Sequence, residues 1–200
     1  MPRFNGTSEF FTSAKTSGPI LIDSAVARDA LIRATIDPIV RSIEKLADPA
    51  PSGALAVLVR DDGRFAYGLG DDGHPVPDAA HAWPIRPMII TLADLYREPA
   101  NSNDRLIWAC RDRRVSSGLR YQIVQALTDG GPSRIDDLVS TVGMARRSEH
   151  AVFSLACADV IEIDELASCA VHTGSIVRIR TCAAVATASR LWYGPPPGGG

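Results

Sequence analysis

Acidic side chains and two histidines cluster in the first half of the chain, and together they could hold a divalent metal ion. Carboxylate and imidazole groups bind such ions when they converge in space. The candidates are Asp23, Asp29, Asp71, Asp72, Asp78, His74 and His81. Asp71 and Asp72 lie in an Asp-Gly-rich stretch, which is typical of a solvated turn. The sequence therefore predicts no metal site, with Asp71 and Asp72 as the nearest candidates for one.

Other catalytic chemistries lack their sequence patterns. No G-x-S-x-G elbow and no G-x-x-x-x-G-K-[ST] loop occurs, which argues against a hydrolase serine and a phosphate-binding loop. The four cysteines show no C-x-x-C spacing of a zinc site, so we expect buried, reduced thiols. They are Cys110, Cys157, Cys169 and Cys182.

Arginines in the second half could bind nucleic acid. Arginine and hydroxyl side chains at the start of a helix reach phosphates and base edges, and the helix dipole favours an anion there. The candidate DNA-binding residues are Arg146, Arg147, Ser148, His150, Arg178 and Arg180. The alternative, a surface for protein contacts with solvated arginines, stays open.

The charge balance excludes strongly charged classes of protein. The 200 residues carry a net charge of −2, which argues against a polybasic membrane anchor or an acidic tail. Residues 105–200 have eleven arginines and nine carboxylates, a net charge of +2, against −4 before them. No apolar run is long enough to span a membrane and no signal pattern opens the chain, so a cytoplasmic protein is expected.

The first half reads as mixed helix and strand. Asp23 or Ser24 caps a predicted helix to residue 34, and residues 39–46 fit a short helix or a strand. An Asp-Gly turn between residues 54–59 and 64–69 predicts a β-hairpin. Residues 83–95 predict a strand running into a helix, and residues 105–109 predict a buried strand.

The second half reads as three helices followed by a two-stranded ribbon. A helix over residues 119–127 ends at Gly130-Gly131-Pro132, Ser133 caps a short helix that Gly143 ends, and a third helix covers about 145–158. Residues 160–163 and 175–180 alternate like paired strands. This order predicts a winged helix.

The landmarks of the first half resemble those of the TnsA-type transposon endonucleases. The landmarks are Ser24-x-x-Ala27-Arg-Asp-Ala-Leu31, Asp37-Pro38-x-Val40-Arg41-x-Ile43, Gly63-Arg64-x-x-Tyr67 and Trp83-Pro-Ile-Arg-Pro87. The resemblance covers about residues 22–180. It implies an α/β fold class, with a restriction-endonuclease-like PD-(D/E)xK core followed by an α+β winged-helix domain. The domains expected are a flexible segment 1–18, the core 19–116, the winged helix 117–182 and a partly disordered tail 183–200.

The resemblance also implies that the nuclease site is lost. The family's helix glutamate falls on Ala27, its hairpin aspartate near Gly70, and its Glu-x-Lys on Pro84-Ile85-Arg86. Alanine and proline side chains cannot bind a metal, and arginine stays protonated, so it cannot act as a base. No cofactor is expected, with Mg²⁺ needed only if a displaced site survives.

The function that follows from the resemblance is a non-catalytic DNA-binding or assembly subunit. Its implied partners are DNA with a transposase subunit, an AAA+ ATPase regulator or an intact nuclease paralogue. One alternative is a winged-helix transcription regulator whose first half senses a ligand or dimerises. A second alternative is a protein-interaction adaptor.

Overall fold

The computed structural model describes residues 9–46, 53–70, 85–143 and 149–180. These residues form six helices and nine strands, so the chain has mixed α and β content as expected. The predicted tail, residues 183–200, lies outside the described residues.

A four-stranded mixed sheet forms the centre of the first half. Its strands are β3 (Val40–Glu44), β4 (Ala54–Arg60), β5 (Gly63–Gly70) and β6 (Pro87–Thr91), in the order β3-β4-β5-β6. Strands β4 and β5 form the predicted hairpin, with Arg60 opposite Gly63, and β6 runs parallel to β5. Residues 39–46, which the sequence left open, supply strand β3.

Helix α1 (Ala25–Ile36) confirms the first predicted helix. The Ser24 hydroxyl accepts a hydrogen bond from the Ala27 amide and caps its start. Ala30, Leu31 and Ala34 are buried, as their spacing predicts for one face of a helix. The Tyr67 hydroxyl of β5 donates to the Ala30 carbonyl oxygen, so α1 lies against the sheet.

The expectation that residues 1–18 form a flexible segment is wrong from Glu9 onward. Strand β1 (Glu9–Phe11) pairs antiparallel with β2 (Ile20–Ile22). Phe11 is buried and its ring stacks on Trp108 at a centroid distance of 5.5 Å. Phe11 and Lys15 are the large buried side chains of residues 9–18, and one apolar position alone shows no periodicity in the sequence.

The predicted strand over residues 105–109 is wrong, because these residues belong mostly to a helix. Helix α2 (Leu92–Leu95) follows β6, and helix α3 (Ala100–Trp108) comes next. The buried positions Asn103, Ile107 and Cys110 have helical spacing. Asn103 hides this pattern in the sequence, since its side-chain amide is buried by donating to the carbonyl oxygens of Leu166 and Cys169.

The second half pairs three helices with a three-stranded sheet. The elements are α4 (Ser117–Gly130), β7 (Ser133–Arg134), α5 (Ile135–Thr141), α6 (Glu149–Cys157), β8 (Ile161–Ile163) and β9 (Ile176–Ile179). The sheet order is β7-β9-β8, with both pairings antiparallel, so the predicted pairing of the last two strands is confirmed. Ser133 lies in β7 and does not cap α5, whose N-cap is Arg134.

One hydrophobic core joins the two halves. Leu31 of α1, Ile107 of α3 and Leu155 of α6 belong to the same buried cluster. Helix α3 packs against both α1 and α6, and therefore lies between elements from either side of the predicted boundary at residue 116. Within the described residues, the helices are too short or too polar to cross a bilayer.

Candidate nucleic-acid interface

Helix α6 is the element on which the predicted DNA-binding residues centre. His150 lies in its first turn, whereas Arg146, Arg147 and Ser148 precede it and lie outside the described residues. Every residue of α6 is buried or half-buried, including Val152 and Phe153 in the core. A recognition helix must offer a free face to the major groove. The body of α6 has none, which leaves its N-terminal end as the part that nucleic acid can reach.

Arg180 is placed in the interior rather than on a surface. Its Nη1 donates to the Pro38 carbonyl oxygen at 2.6 Å and its Nη2 to that of Val40 at 2.7 Å. Its Nη1 is also 3.0 Å from Glu162 Oε1, and its Nε is 3.2 Å from Asp159 Oδ1. With 6% of its side chain exposed, Arg180 neutralises the buried Glu162 and the half-buried Asp159 and is unavailable to a phosphate.

Arg178 is half-exposed but already paired with two carboxylates. Its Nε lies 3.1 Å from Glu162 Oε2 and its Nη2 lies 2.7 Å from Asp164 Oδ1. Arg178 and Arg180 alternate on one strand as predicted, but Arg178 pairs with carboxylates of its own half and Arg180 binds carbonyl oxygens of the first half. Neither arginine joins His150 in one surface patch.

A basic loop lies beside the start of α6. We call residues 111–114, with the sequence Arg-Asp-Arg-Arg, the arginine loop; it follows Cys110 at the end of α3. The Cys110 Sγ lies 3.4 Å from His150 Nδ1, and the Ser154 hydroxyl donates to the Arg113 carbonyl oxygen at 2.8 Å. These two contacts hold the arginine loop against α6.

The arginine loop leaves two cations free for a ligand. Arg113 and Arg114 are exposed, and neither makes an ion pair with any other residue in the described ranges. Arg111 is different, because its guanidinium stacks over the Trp108 ring at 4.9 Å and pairs with Asp112. Free guanidinium groups suit phosphate oxygens, which their planar donors can bind in pairs.

The cysteines beside this loop are structural. Cys110 is buried against His150, and burial raises the pKa of its thiol. Burial likewise raises the pKa of Cys157 to about 12, and its Sγ donates to the Ile107 carbonyl oxygen. Neither thiol is ionised near neutral pH, so the Cys110–His150 pair is not an activated nucleophile. The expectation of reduced, buried thiols is confirmed for these two; Cys169 is free but exposed.

The positions onto which the nuclease residues fall do not form one site. Ala27 is buried in α1, Gly70 is opposite Thr91 at one end of the β5–β6 pair, and Arg86 precedes β6 at the other end. Five residues of strand separate the levels of Gly70 and Arg86, a distance of roughly 16 Å. Pro84, Asp71 and Asp72 lie outside the described residues. Within those ranges, no three metal-binding side chains come together.

Sequence comparison identifies no relative on which a family assignment could rest. The chain matches no protein-family model. No curated protein matches it either.

The arginine loop is the part of the site that sequence reasoning missed. Three arginines in four positions are a clear local signal. Because the domain boundary was expected at residue 116, this cluster fell at the end of one predicted domain. Only the packing of α3 on α6 brings it beside the helix that was expected to meet DNA.

Proposed function

We propose that the protein is a DNA-binding subunit without nuclease activity of its own, which holds duplex DNA by its phosphates. The observation that carries the proposal is the contact between Cys110 and His150, since it joins the arginine loop to the start of α6. The arginine loop then lies beside His150, which follows Arg146 and Arg147 closely in the sequence.

Chain connectivity extends this surface. Arg147 precedes His150 by three residues, so their Cα atoms are at most about 11 Å apart. The Arg113 carbonyl oxygen accepts a hydrogen bond from the hydroxyl of Ser154, one helical turn after His150. Together with Arg114, the arginines at 113, 146 and 147 can neutralise several phosphates, which is sufficient for a salt-dependent, sequence-independent attachment to DNA.

The arrangement of elements supports the domain types in the proposal. In the second half the element order α4-β7-α5-α6-β8-β9, with β9 central in its sheet, agrees with a winged helix. In the first half a helix precedes three antiparallel strands and a fourth strand parallel to the third, in agreement with a nuclease-like core. A nuclease-like core without metal ligands could still provide a groove for DNA.

Because α6 is buried along its length, the protein is better suited to be an assembly subunit than a transcription regulator. Base-specific readout needs several side chains along a helix that enters the major groove. The buried body of α6 offers only its first turn, whereas phosphate contacts from a loop require no such entry. By its resemblance to TnsA-type proteins, the subunit would act with a transposase subunit, an AAA+ ATPase regulator or an intact nuclease paralogue.

The test is the salt dependence of binding to a labelled duplex, followed by fluorescence anisotropy. We expect Arg113→Ala with Arg114→Ala to weaken binding and to reduce the slope of log K against log salt by about 1.8, since each lost phosphate contact contributes about 0.9. The matched control is Arg64→Ala with Arg97→Ala, which removes two exposed arginines that are paired with Glu44 and Asp94. Equal losses in the two double variants would mean that only overall charge matters, and would contradict the proposal.

A second variant, at the arginines that the sequence pattern predicted to bind DNA, extends the same test. We expect Arg146→Ala with Arg147→Ala to reduce the salt slope by a similar amount. If neither this variant nor the arginine-loop variant changes binding, the result favours the hypothesis that the protein is a protein-interaction adaptor. Tight binding that depends on a palindrome would instead favour the transcription regulator.

Loss of nuclease activity has its own assay. We expect no cleavage when the protein is incubated with supercoiled or linear DNA and Mg²⁺ or Mn²⁺. Metal-dependent cleavage that Asp71→Ala abolishes would show a working, displaced site and overturn this part of the proposal.

A further inference from the structure

A cavity of about 320 Å³ lies where the end of α1 meets the start of α3 and the residues after β8. This volume falls at the lower end of the range for small-molecule sites, about 300–1,000 Å³. The cavity is about ten times the volume of one water molecule in the liquid, roughly 30 Å³. All of its lining residues lie within the described ranges.

The walls of this junction cavity are largely apolar. Ile36, Pro38 and Ile39 line one side, and Ile163 and Leu166 line the other. Ile39 is 47% exposed, which is high for a large apolar side chain and leaves part of it for a ligand to cover. An apolar body of a few carbon atoms would gain free energy by leaving water here.

The charged groups of the cavity are mostly acidic. Arg33 is charge-paired within the protein, because its Nε donates to Asp104 Oδ2 at 2.7 Å and its Nη1 to the Asp94 carbonyl oxygen at 2.6 Å, while its buried Nη2 has no hydrogen-bond partner among the described residues. That pair is electrically neutral. Asp37 and Glu165 are the other two charged residues in the lining, and both are carboxylates.

Neither of these two carboxylates has a cation of its own among the described residues. Asp37 accepts a hydrogen bond from the Ile39 amide through Oδ1. The nearest lysine, Lys15, donates to the Asp37 carbonyl oxygen, but its charge lies 3.7 Å from Asp159. Arg180 is likewise taken by Asp159 and Glu162. The cavity therefore carries an excess of negative charge.

The backbone conformation of Glu165 is also unusual. Glu165 has φ of +59°, the left-handed region that non-glycine residues rarely adopt. Strained residues of this kind are concentrated at ligand-binding and active sites. Glu165 thus brings a charged side chain to the cavity at a position where the backbone favours glycine.

We propose that the junction cavity binds a small apolar molecule with one positive charge, an alkyl or aryl ammonium compound. The apolar walls cover its hydrocarbon part, and Asp37 and Glu165 neutralise its ammonium group. The site contains none of the residues proposed to contact DNA, so its test is independent of the proposed function.

The test is a titration of the ¹⁵N-labelled full chain with three probes of similar shape. We expect 2-phenylethylammonium to shift the amide signals of Ala100, Ile163 and Leu166 in a saturable way. Neutral 2-phenylethanol should bind on the order of fivefold more weakly, as expected for loss of exposed ion pairs, and 3-phenylpropanoate should not bind. In Asp37→Asn with Glu165→Gln, the ammonium probe should bind no better than the alcohol.

Two tryptophan variants locate the site. Ala167→Trp fills the cavity from an exposed turn and should abolish binding, whereas Ala170→Trp, exposed three residues later and outside the lining, should not. Equal binding of all three probes, absence of saturable binding by the ammonium probe, or an equal response of the two tryptophan variants would overturn the proposal.

Discussion

The Arg180 Nη2 donates a hydrogen bond of 2.7 Å to the Val40 carbonyl oxygen, although 140 positions separate the two residues in the sequence. The bond joins the end of β9 to the start of β3. Around it, Arg180 also pairs with Glu162 and Asp159, so one side chain connects the four-stranded sheet, the three-stranded sheet and two carboxylates.

Removing this side chain should destabilise the protein strongly. We expect Arg180→Ala to lower the free energy of unfolding by about 2–4 kcal/mol, because it removes the hydrogen bonds to the Pro38 and Val40 carbonyl oxygens and one of the three arginines paired with Glu162. Urea unfolding measures the change. The control is Arg64→Ala, which breaks an exposed pair with Glu44 and should have little effect. A similar loss in both variants would contradict a joining role for Arg180.

Lys15 should make stability depend on pH in the alkaline range. Burial lowers its pKa from 10.5 to about 8, with the nearby Arg180 charge as the second cause. Between these two values Lys15 is protonated in the unfolded chain but not in the folded protein, so the contribution of Lys15 to the free energy of unfolding rises with pH across that window. The rise is about 3 kcal/mol for a pKa difference of this size.

The measurement is urea unfolding of wild type and Lys15→Met between pH 7 and 10.5. The free energy of unfolding of wild type minus that of Lys15→Met should rise with pH, because the buried Cys110 and Cys157 thiols, which lower stability above about pH 9, are common to both proteins. Lys45→Met removes the only other lysine, which is exposed, and should keep the rise. A wild-type curve parallel to that of Lys15→Met would show that folding does not lower the pKa of Lys15.

The β1–β2 pair provides two phenylalanines for a direct comparison. Phe11 is 4% exposed and stacks on Trp108, whereas the preceding Phe10 is 65% exposed. We expect Phe11→Ala to cost about 3–5 kcal/mol in thermal or urea unfolding, as for other buried phenylalanines. Phe10→Ala should stay within about 0.5 kcal/mol of wild type. Equal effects would mean that residues 9–11 do not pack as described.

Thiol labelling should separate the described cysteines. Cys169 is exposed, while Cys110 and Cys157 are buried and burial raises the pKa of both thiols. We expect iodoacetamide at pH 8 to modify Cys169 first, and the two buried thiols only after denaturation. Peptide mass mapping over time checks this order. Early labelling of Cys157 would indicate that α6 opens readily in the folded protein.

Local patterns predicted the elements whose signals lie within a few neighbouring residues. The Ser24 cap and the stripe through Ala30, Leu31 and Ala34 gave α1, and the Asp-Gly turn gave the β4–β5 hairpin. Gly131 has φ of +76° and ends α4 where the Gly-Gly-Pro signal placed its end. These features depend on backbone preference and periodicity, which a short segment contains in full.

Predictions failed where a polar residue was buried by a distant partner. Asn103 reads as a surface residue, yet its amide is satisfied by carbonyl oxygens more than sixty positions away, and so α3 was predicted as a strand. Lys15 lies in a segment predicted to be flexible, but its ammonium group is held by the Asp37 carbonyl oxygen. No local pattern reports such partners.

The sequence by itself determined the mixed composition, most elements and an excess of arginine in the second half. Which arginines face solvent was decided by the tertiary structure alone. Arg180 is buried because carboxylates and carbonyl oxygens converge on it from both halves, whereas Arg113 and Arg114 are exposed because α3 ends beside α6. The physical reason is that a guanidinium is stable in either setting: paired in the interior or hydrated at the surface. Whether an arginine is buried or exposed therefore depends on neighbours that only folding brings together.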